Sequence, residues 1–130
     1  MHLCRGNFKS THAAAGNYEP VAEALLSEMN LDAFFMEYDD ERSGDFRPLR
    51  FLSKGKIVVL GLVTTKFGAM ESKDLLKRRI DEAAQFAPLD QLCLSPQCGF
   101  SSTVHGNNIA VQAQRDKLRL VVETAQEVWG

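Results

Sequence analysis

Short apolar segments alternate along the chain with longer segments in which apolar residues recur every three or four positions. KIVVLGLV, Lys56 to Val63, is apolar throughout after its first residue, which predicts a strand covered on both faces in a parallel sheet. DAFFMEY, Asp32 to Tyr38, and QLCLS, Gln91 to Ser95, are shorter and also typical of strands. HLC, at positions 2–4, is interpreted as the last residues of another strand. The pattern therefore predicts four short strands.

The periodic segments predict amphipathic helices. The first helix is predicted to begin near Pro20. The N–H that proline lacks costs little there, because an N–H in the first turn of a helix has no partner within the helix. Its apolar face is predicted to carry Val21, Leu25 and Met29. Ser72 is predicted to cap a second helix, which Pro88 ends. The apolar residues of that helix are Leu75, Leu76, Ile80, Ala83, Ala84 and Ala87. The apolar stripe of a last helix is formed by Leu118, Val121, Val122, Ala125 and Trp129.

Strands and helices alternate in this order, with a polar segment of loop or helix between the second and third strands. Such alternation predicts an α/β fold with parallel strands. The polar segment DDERSGDFRP is interpreted as a solvated loop. In folds of this class the reactive residues lie at the carboxyl ends of the strands, so the candidate chemistry is sought there.

The composition limits the class of protein and leaves the fold prediction unchanged. The chain has 130 residues, a formal charge of -2, 45% hydrophobic residues and 25% charged residues, as expected for one globular domain. No basic cluster indicates nucleic acid, and the longest apolar run is too short to cross a membrane. No secretory signal follows Met1, and three cysteines, an odd number, argue against a disulfide framework. A cytoplasmic protein with reduced cysteines is expected.

Potential metal ligands lie at the predicted strand ends. His2 and Cys4 are two residues apart and so point to the same side of a strand. With Glu37 and Cys98 they form a set of two thiols, an imidazole and a carboxylate, which suits tetrahedral Zn²⁺. Spacing alone leaves two simpler alternatives open: Glu37 as a solvated charge and Cys98 as a small buried hydrophobe. Cys93, within an apolar segment, is interpreted as buried.

Four motifs resemble a known family over nearly the whole chain. HLCRGN, EYDDERSGDFRPLRF, VVLGLVTTK and LDQLCLSPQCGF resemble the C-terminal catalytic barrel of cobalamin-independent methionine synthases, above all the short single-barrel bacterial type. The resemblance implies that residues 1–130 are the C-terminal half of a (β/α)₈ TIM barrel, with about four parallel strands and four helices. It also implies that His2, Cys4, Glu37 and Cys98 bind Zn²⁺.

The resemblance further implies a reaction. The family transfers a methyl group from 5-methyltetrahydropteroyltriglutamate to the zinc-activated thiolate of homocysteine, which gives methionine. In longer relatives a histidine protonates the leaving nitrogen, and Lys66 stands at that position here. Three interpretations of Lys66 follow: it donates the proton, it binds an anionic group of a substrate, or it is a solvated lysine. A non-folate donor such as a methylated corrinoid protein is an alternative source of the methyl group.

A complete barrel of this kind needs about 250 residues. We therefore expect the chain to start within a domain, and we hypothesise that Met1 is an internal methionine of a longer protein. Half a barrel leaves open sheet edges and an apolar inner face, so self-association or a separate N-terminal half is expected. Two alternatives to an enzyme remain: a truncated, inactive zinc-binding fragment, and a protein that uses Cys4 and Cys98 as redox-active thiols.

Overall fold

A computed structural model describes residues 1–4, 7–8, 11–12, 16–101 and 104–130 of the chain. Four of its strands form one parallel sheet in the order β1-β4-β5-β6, and β2 and β3 form a separate antiparallel pair. The strands are β1 (His2–Leu3), β2 (Asn7–Phe8), β3 (Thr11–His12), β4 (Ala33–Glu37), β5 (Ile57–Val63) and β6 (Leu92–Pro96). The four predicted strands and the parallel α/β class are confirmed, whereas the β2–β3 pair was not predicted.

The register of the sheet brings the carboxyl ends of its strands to one rim. Phe35 of β4 lies opposite Val59 of β5, and Val59 lies opposite Cys93 of β6. His2 of β1 lies opposite Phe35 on the other side of β4. Because all four strands run in the same direction, the residues that follow them along the chain meet at that rim.

Two α-helices cover one face of the sheet in the described part of the chain, α1 (Lys73–Ala84) and α2 (Val111–Trp129). The Ser72 side chain accepts a hydrogen bond from the Leu75 amide at 3.2 Å, which confirms the predicted N-cap. Four helices were expected. The remaining helical segments are short 3₁₀ or π turns at Glu19–Val21, Ala24–Glu28, Glu41–Ser43, Arg47–Phe51 and Leu89–Gln91. No described helix combines the length and the apolar character that a membrane span requires.

Of the three residues predicted for the apolar face of the first helix, only Leu25 is confirmed. Val21 is 55% exposed and Met29 is also exposed, whereas Leu25 and Leu26 are buried. The segment begins as a 3₁₀ turn and continues as a π turn, in which the Met29 amide bonds the Ala24 carbonyl at 3.1 Å. A helix that is first tighter and then wider than an α-helix does not keep the i, i+4 spacing on one face.

The predicted stripe of α2 is also displaced. Leu118 and Val122 are exposed, while the positions that are buried include a lysine and a threonine, Lys117 and Thr124. Val121 and Trp129 pack against the core as predicted. On α1 the predicted face is confirmed at Leu76, Ile80 and Ala83, which are buried, and is wrong at Leu75, which is exposed. The predicted end at Pro88 is also wrong, because the helix ends at Ala84; Ala87 is buried but lies beyond it.

The second face of the sheet is open at the amino ends of the strands. Phe35 is 42% exposed, Ile57 is 37% exposed and Cys93 is exposed. The buried interpretation of Cys93 is therefore wrong, because its side chain belongs to this face and not to the face under the helices. The prediction that β5 is covered on both faces holds towards its carboxyl end, where Leu60 to Val63 are all buried.

Gly61 allows β5 to approach both neighbours closely beneath the rim. A Cβ atom at this position would lie 3.0 Å from the Met36 carbonyl oxygen and 3.2 Å from the Gln97 Cα. Both are backbone atoms, which cannot rotate away as a flexible side chain would.

Gly61→Ala is therefore expected to lower the free energy of unfolding by about 1–3 kcal/mol, as overpacking of a core does. Urea denaturation followed by circular dichroism measures this change. Gly68→Ala is the matched control, since its Cβ would meet the Ala113 Cβ at 3.4 Å, an ordinary contact. Equal stabilities of the two variants would contradict the role assigned to Gly61.

Candidate metal centre

Three side chains that can bind a metal meet at the rim. Cys4 directly follows β1, Glu37 is the last residue of β4, and Cys98 lies two residues beyond β6. The two sulfur atoms are 3.2 Å apart, and the Cys98 thiol donates a hydrogen bond to Glu37 Oε1 at 2.7 Å. One ligand atom from each residue lies within 4.8 Å of the other two. The structure thus brings together three of the four residues predicted as ligands.

The electrostatics of this cluster disfavour negative charge. Glu37 is only 1% exposed, although it ends a strand at the rim, so the alternative of a solvated carboxylate is wrong. Burial raises the pKa of the Cys98 thiol, and its hydrogen bonds with Glu37 and Cys4 raise that pKa further. Three acidic groups so close together favour a shared proton or a bound cation.

The donor set fits Zn²⁺. Two thiolates and a carboxylate are ordinary zinc ligands, and catalytic zinc sites use three protein ligands with one position left for water or substrate. The burial of the carboxylate beside two thiols also favours such an ion, because a divalent cation offsets the negative charge that burial disfavours.

His2 lies beside this cluster and outside it. Among the described residues the group of mutually close ligand atoms consists of Cys4, Glu37 and Cys98. The His2 ring is tilted against the Phe35 ring, with 6.4 Å between the ring centroids. His2 and Cys98 line the same cavity of about 510 Å³ on the open side of the sheet. Its role as a fourth ligand stays a prediction.

Tyr18 joins the backbone of two ligand-bearing strands. Its hydroxyl accepts a hydrogen bond from the Glu37 amide at 2.8 Å and donates one to the Leu3 carbonyl at 3.5 Å. Tyr18 is 6% exposed, and its bond with the Glu37 amide is buried, whereas the bond to the Leu3 carbonyl is partly buried. Sequence reasoning missed this residue, because a tyrosine before a helical proline carries no pattern that indicates contact with distant strands.

Lys66 lies in a buried polar network behind the cluster. Its ammonium forms an ion pair with Asp39 Oδ2 and donates a hydrogen bond to Gln97 Oε1 at 2.6 Å. The side chains of Lys66 and Asp39 are each 1% exposed. The interpretation of Lys66 as a solvated lysine is therefore wrong, and so is the solvated-loop interpretation for Asp39.

A second buried lysine, Lys117, forms hydrogen bonds with the segment between β5 and α1. Lys117 of α2 donates to the Ala69 carbonyl at 2.6 Å and to Glu71 Oε2 at 2.8 Å. The other carboxylate oxygen of Glu71 accepts a hydrogen bond from the Thr64 amide at 2.8 Å. This contact explains why Lys117 is buried on a helix whose apolar stripe was predicted elsewhere.

Comparisons with known proteins agree with the resemblance. The family described as the catalytic domain of cobalamin-independent synthases matches residues 2–127. Two uncharacterised proteins of Bacillus subtilis, YxjH and YxjG, are 56% and 55% identical to the chain over 130 residues, which is 99% of this chain. The chain spans only 34% of the length of each.

Two solved structures share the fold. A proposed vitamin-B12-independent methionine synthase from Listeria monocytogenes is 37% identical, with a TM-score of 0.73; the match covers 100% of this chain and 34% of that chain. A B12-independent methionine synthase from a Shewanella species, solved with selenomethionine, has a TM-score of 0.75 at 22% identity, over 98% of this chain and 37% of that chain. The sheet thus corresponds to part of such a barrel domain, and the chain belongs to the family of cobalamin-independent methionine synthases, within its catalytic domain.

Proposed function

We propose that Cys4, Glu37 and Cys98 bind Zn²⁺ and that this chain is the zinc-bearing part of a homocysteine S-methyltransferase. The observation that carries the proposal is the mutual approach of two thiols and a buried carboxylate to within 4.8 Å. We propose His2 as a fourth ligand, since it precedes Cys4 on the same side of β1 and shares a cavity with Cys98.

A bound zinc ion supplies the positive charge that keeps a substrate thiol ionised at neutral pH. In the proposed reaction the homocysteine sulfur attacks the methyl group of methyltetrahydrofolate. A sulfur–carbon bond forms, the bond from carbon to N5 breaks, and N5 takes up a proton, so that methionine and tetrahydrofolate are released. Cys4, Glu37 and Cys98 would hold the ion, and the cavity beside His2 and Phe35 offers space for the substrate.

Proton donation by Lys66 stays a prediction with less support. Its ammonium is directed to Asp39 and Gln97, and its side chain is 1% exposed. A donor to N5 has to reach the substrate, at least after binding. Binding of an anionic substrate group by Lys66 meets the same difficulty, because Asp39 already balances its charge.

We propose that the open face of the sheet is covered in the active protein. Phe35, Ile57 and Cys93 expose apolar surface on this face, and β1 and β6 are the outer strands of the described sheet. The occupant that fits is the rest of a barrel, supplied by a separate half or approximated by a second copy of this chain. A cytoplasmic location accords with three cysteines that form no disulfide with one another in the described structure.

A second candidate function is a zinc-binding fragment without turnover. It is favoured by one observation, the exposed apolar surface of Phe35 and Ile57 on the open face of the described sheet. A methylated corrinoid protein is an alternative methyl donor for the enzyme.

We expect the purified chain to bind about one zinc ion, measured by elemental mass spectrometry after dialysis. Cys98→Ser removes a thiolate ligand and should weaken zinc binding by at least about tenfold in chelator competition. Cys93→Ser is the matched control and should bind zinc as the unchanged chain does, since Cys93 lies on the open face. His2→Ala tests the fourth ligand. Equal zinc affinity in Cys98→Ser and Cys93→Ser would contradict the proposed site.

The thiols should also differ in reactivity. In metal-free protein near pH 8, iodoacetamide is expected to modify Cys93 faster than Cys98, because the raised pKa of Cys98 leaves less of the reactive thiolate. As the pH rises towards that pKa, the rate at Cys98 should increase. Peptide mass spectrometry gives both rates in one sample. Zinc should protect Cys98 and leave Cys93 reactive; the reverse pattern would count against the cluster.

Turnover decides between the two candidate functions. We expect the chain mixed with the part of YxjH that it does not cover to form methionine from homocysteine and a methyl donor, offered as methyltetrahydrofolate or as a methylated corrinoid protein. The chain alone is expected to be inactive. Glu37→Gln in the mixture is the control for a zinc-dependent reaction. A zinc-loaded mixture that forms no methionine with either donor would favour the fragment without turnover.

A further inference from the structure

The buried ammonium of Lys66 connects three segments of the rim. Lys66 follows β5, its ion-pair partner Asp39 follows β4, and its hydrogen-bond acceptor Gln97 follows β6. One charged group thus joins the loops that leave three neighbouring strands. The arrangement is built into the interior, because Gln97 is 7% exposed and the other two side chains are almost fully buried.

Two of these partners are immediate neighbours of the proposed ligands. Asp39 lies two residues after Glu37, and Gln97 directly precedes Cys98. The intervening backbone is anchored to β5, since the Tyr38 amide bonds the Gly61 carbonyl at 3.0 Å and the Gln97 amide bonds the Val63 carbonyl at 2.8 Å. With one residue between Asp39 and Glu37 and none between Gln97 and Cys98, a shift of Asp39 or Gln97 would displace the neighbouring ligand-bearing residue.

The pairing gives the network a defined geometry. A buried ammonium needs a partner carboxylate, because removal of either member leaves an uncompensated charge in the interior. Charge-assisted hydrogen bonds are also stronger and more directional than neutral ones. The lowest-energy arrangement is accordingly the one in which Asp39 and Gln97 both face Lys66.

We propose that Lys66 is a positioning residue, which holds Asp39 and Gln97 together and so fixes the separation of Glu37 and Cys98. The inference rests on the proposed metal centre and deepens it. It assigns Lys66 a role in arranging the ligands rather than in proton transfer to the substrate. The two roles differ in one observable property: a positioning residue affects metal binding in the absence of any substrate.

Lys66→Met is the test, because methionine keeps most of the side-chain length and removes the charge. Lys117→Met is the matched control, since Lys117 is equally buried and ion-paired, with Glu71, on the far side of the same loop. Asp39→Asn serves as a second variant of the network if Lys66→Met does not fold. Thermal unfolding of each variant shows whether the stability losses are comparable.

Zinc affinity by chelator competition and the absorption spectrum of Co²⁺-loaded protein are the metal readouts. Lys66→Met and Asp39→Asn should weaken zinc binding by about tenfold or more, as loss of groups that orient ligands does, and should alter the Co²⁺ bands. Lys117→Met should leave both unchanged. Unchanged affinity and spectrum in the two network variants would overturn the proposal, and so would an equal loss in Lys117→Met.

Amide hydrogen exchange of metal-free protein provides a readout that does not depend on zinc. The amides of Tyr38 and Gln97 should exchange faster in Lys66→Met and Asp39→Asn than in the unchanged chain. In Lys117→Met the Thr64 amide should be the one that exchanges faster. If the unchanged chain binds no zinc, the proposed metal centre fails, and the exchange rates still decide the role of Lys66. Unaltered exchange at Tyr38 and Gln97 would overturn that role.

Discussion

The close approach of the Cys4 and Cys98 thiols to the buried carboxylate of Glu37 is the constraint on which the rest of the rim depends. The two sulfur atoms are 3.2 Å apart, and the carboxylate is nearly inaccessible to water. Like charges at that separation repel strongly in a partly desolvated site. Without a cation the Cys98 thiol keeps its proton, because burial raises its pKa and the hydrogen bonds with Glu37 and Cys4 raise that pKa further. A divalent ion replaces such a proton with positive charge, so the same closeness that disfavours ionisation favours metal binding.

That closeness depends on backbone geometry under the rim. Parallel pairing delivers Cys4, Glu37 and the Cys98 turn to one edge, but pairing alone leaves the loops beyond the strands free to diverge. Because Gly61 has no side chain, the backbone of Met36 on one side and of Gln97 on the other approaches it more closely than a Cβ atom would allow. Tyr18 then joins β1 to β4, and Lys66 joins the loops after β4, β5 and β6. At the rim, buried polar groups therefore fix the positions of neighbouring strands and loops, as hydrophobic packing does in the core.

The parts of this arrangement that follow from local pattern could be predicted from sequence. Apolar runs locate β4, β5 and β6 within a residue or two, and the alternation of elements predicts parallel pairing, which places the strand ends at one rim. Helix faces were less predictable, because charged residues are expected to face solvent. Lys117 is buried through Glu71, and its burial rotates the covered face of α2 away from Leu118. Partners 27 and 31 residues apart, as in the Lys66 network, leave no local signal.

The proposed ligands and the residues proposed to position them lie in the described sheet and its loops, whereas the open face of that sheet has little cover among the described residues. Lys66, Asp39 and Gln97 lie in the loops that leave β5, β4 and β6. Phe35 and Cys93 are exposed on the open face, and Phe35 lines a cavity there together with His2. In the proposed function, zinc binding depends on the first set of contacts, whereas exclusion of water from a reacting thiolate depends on a cover over the open face. The two properties are therefore physically separable.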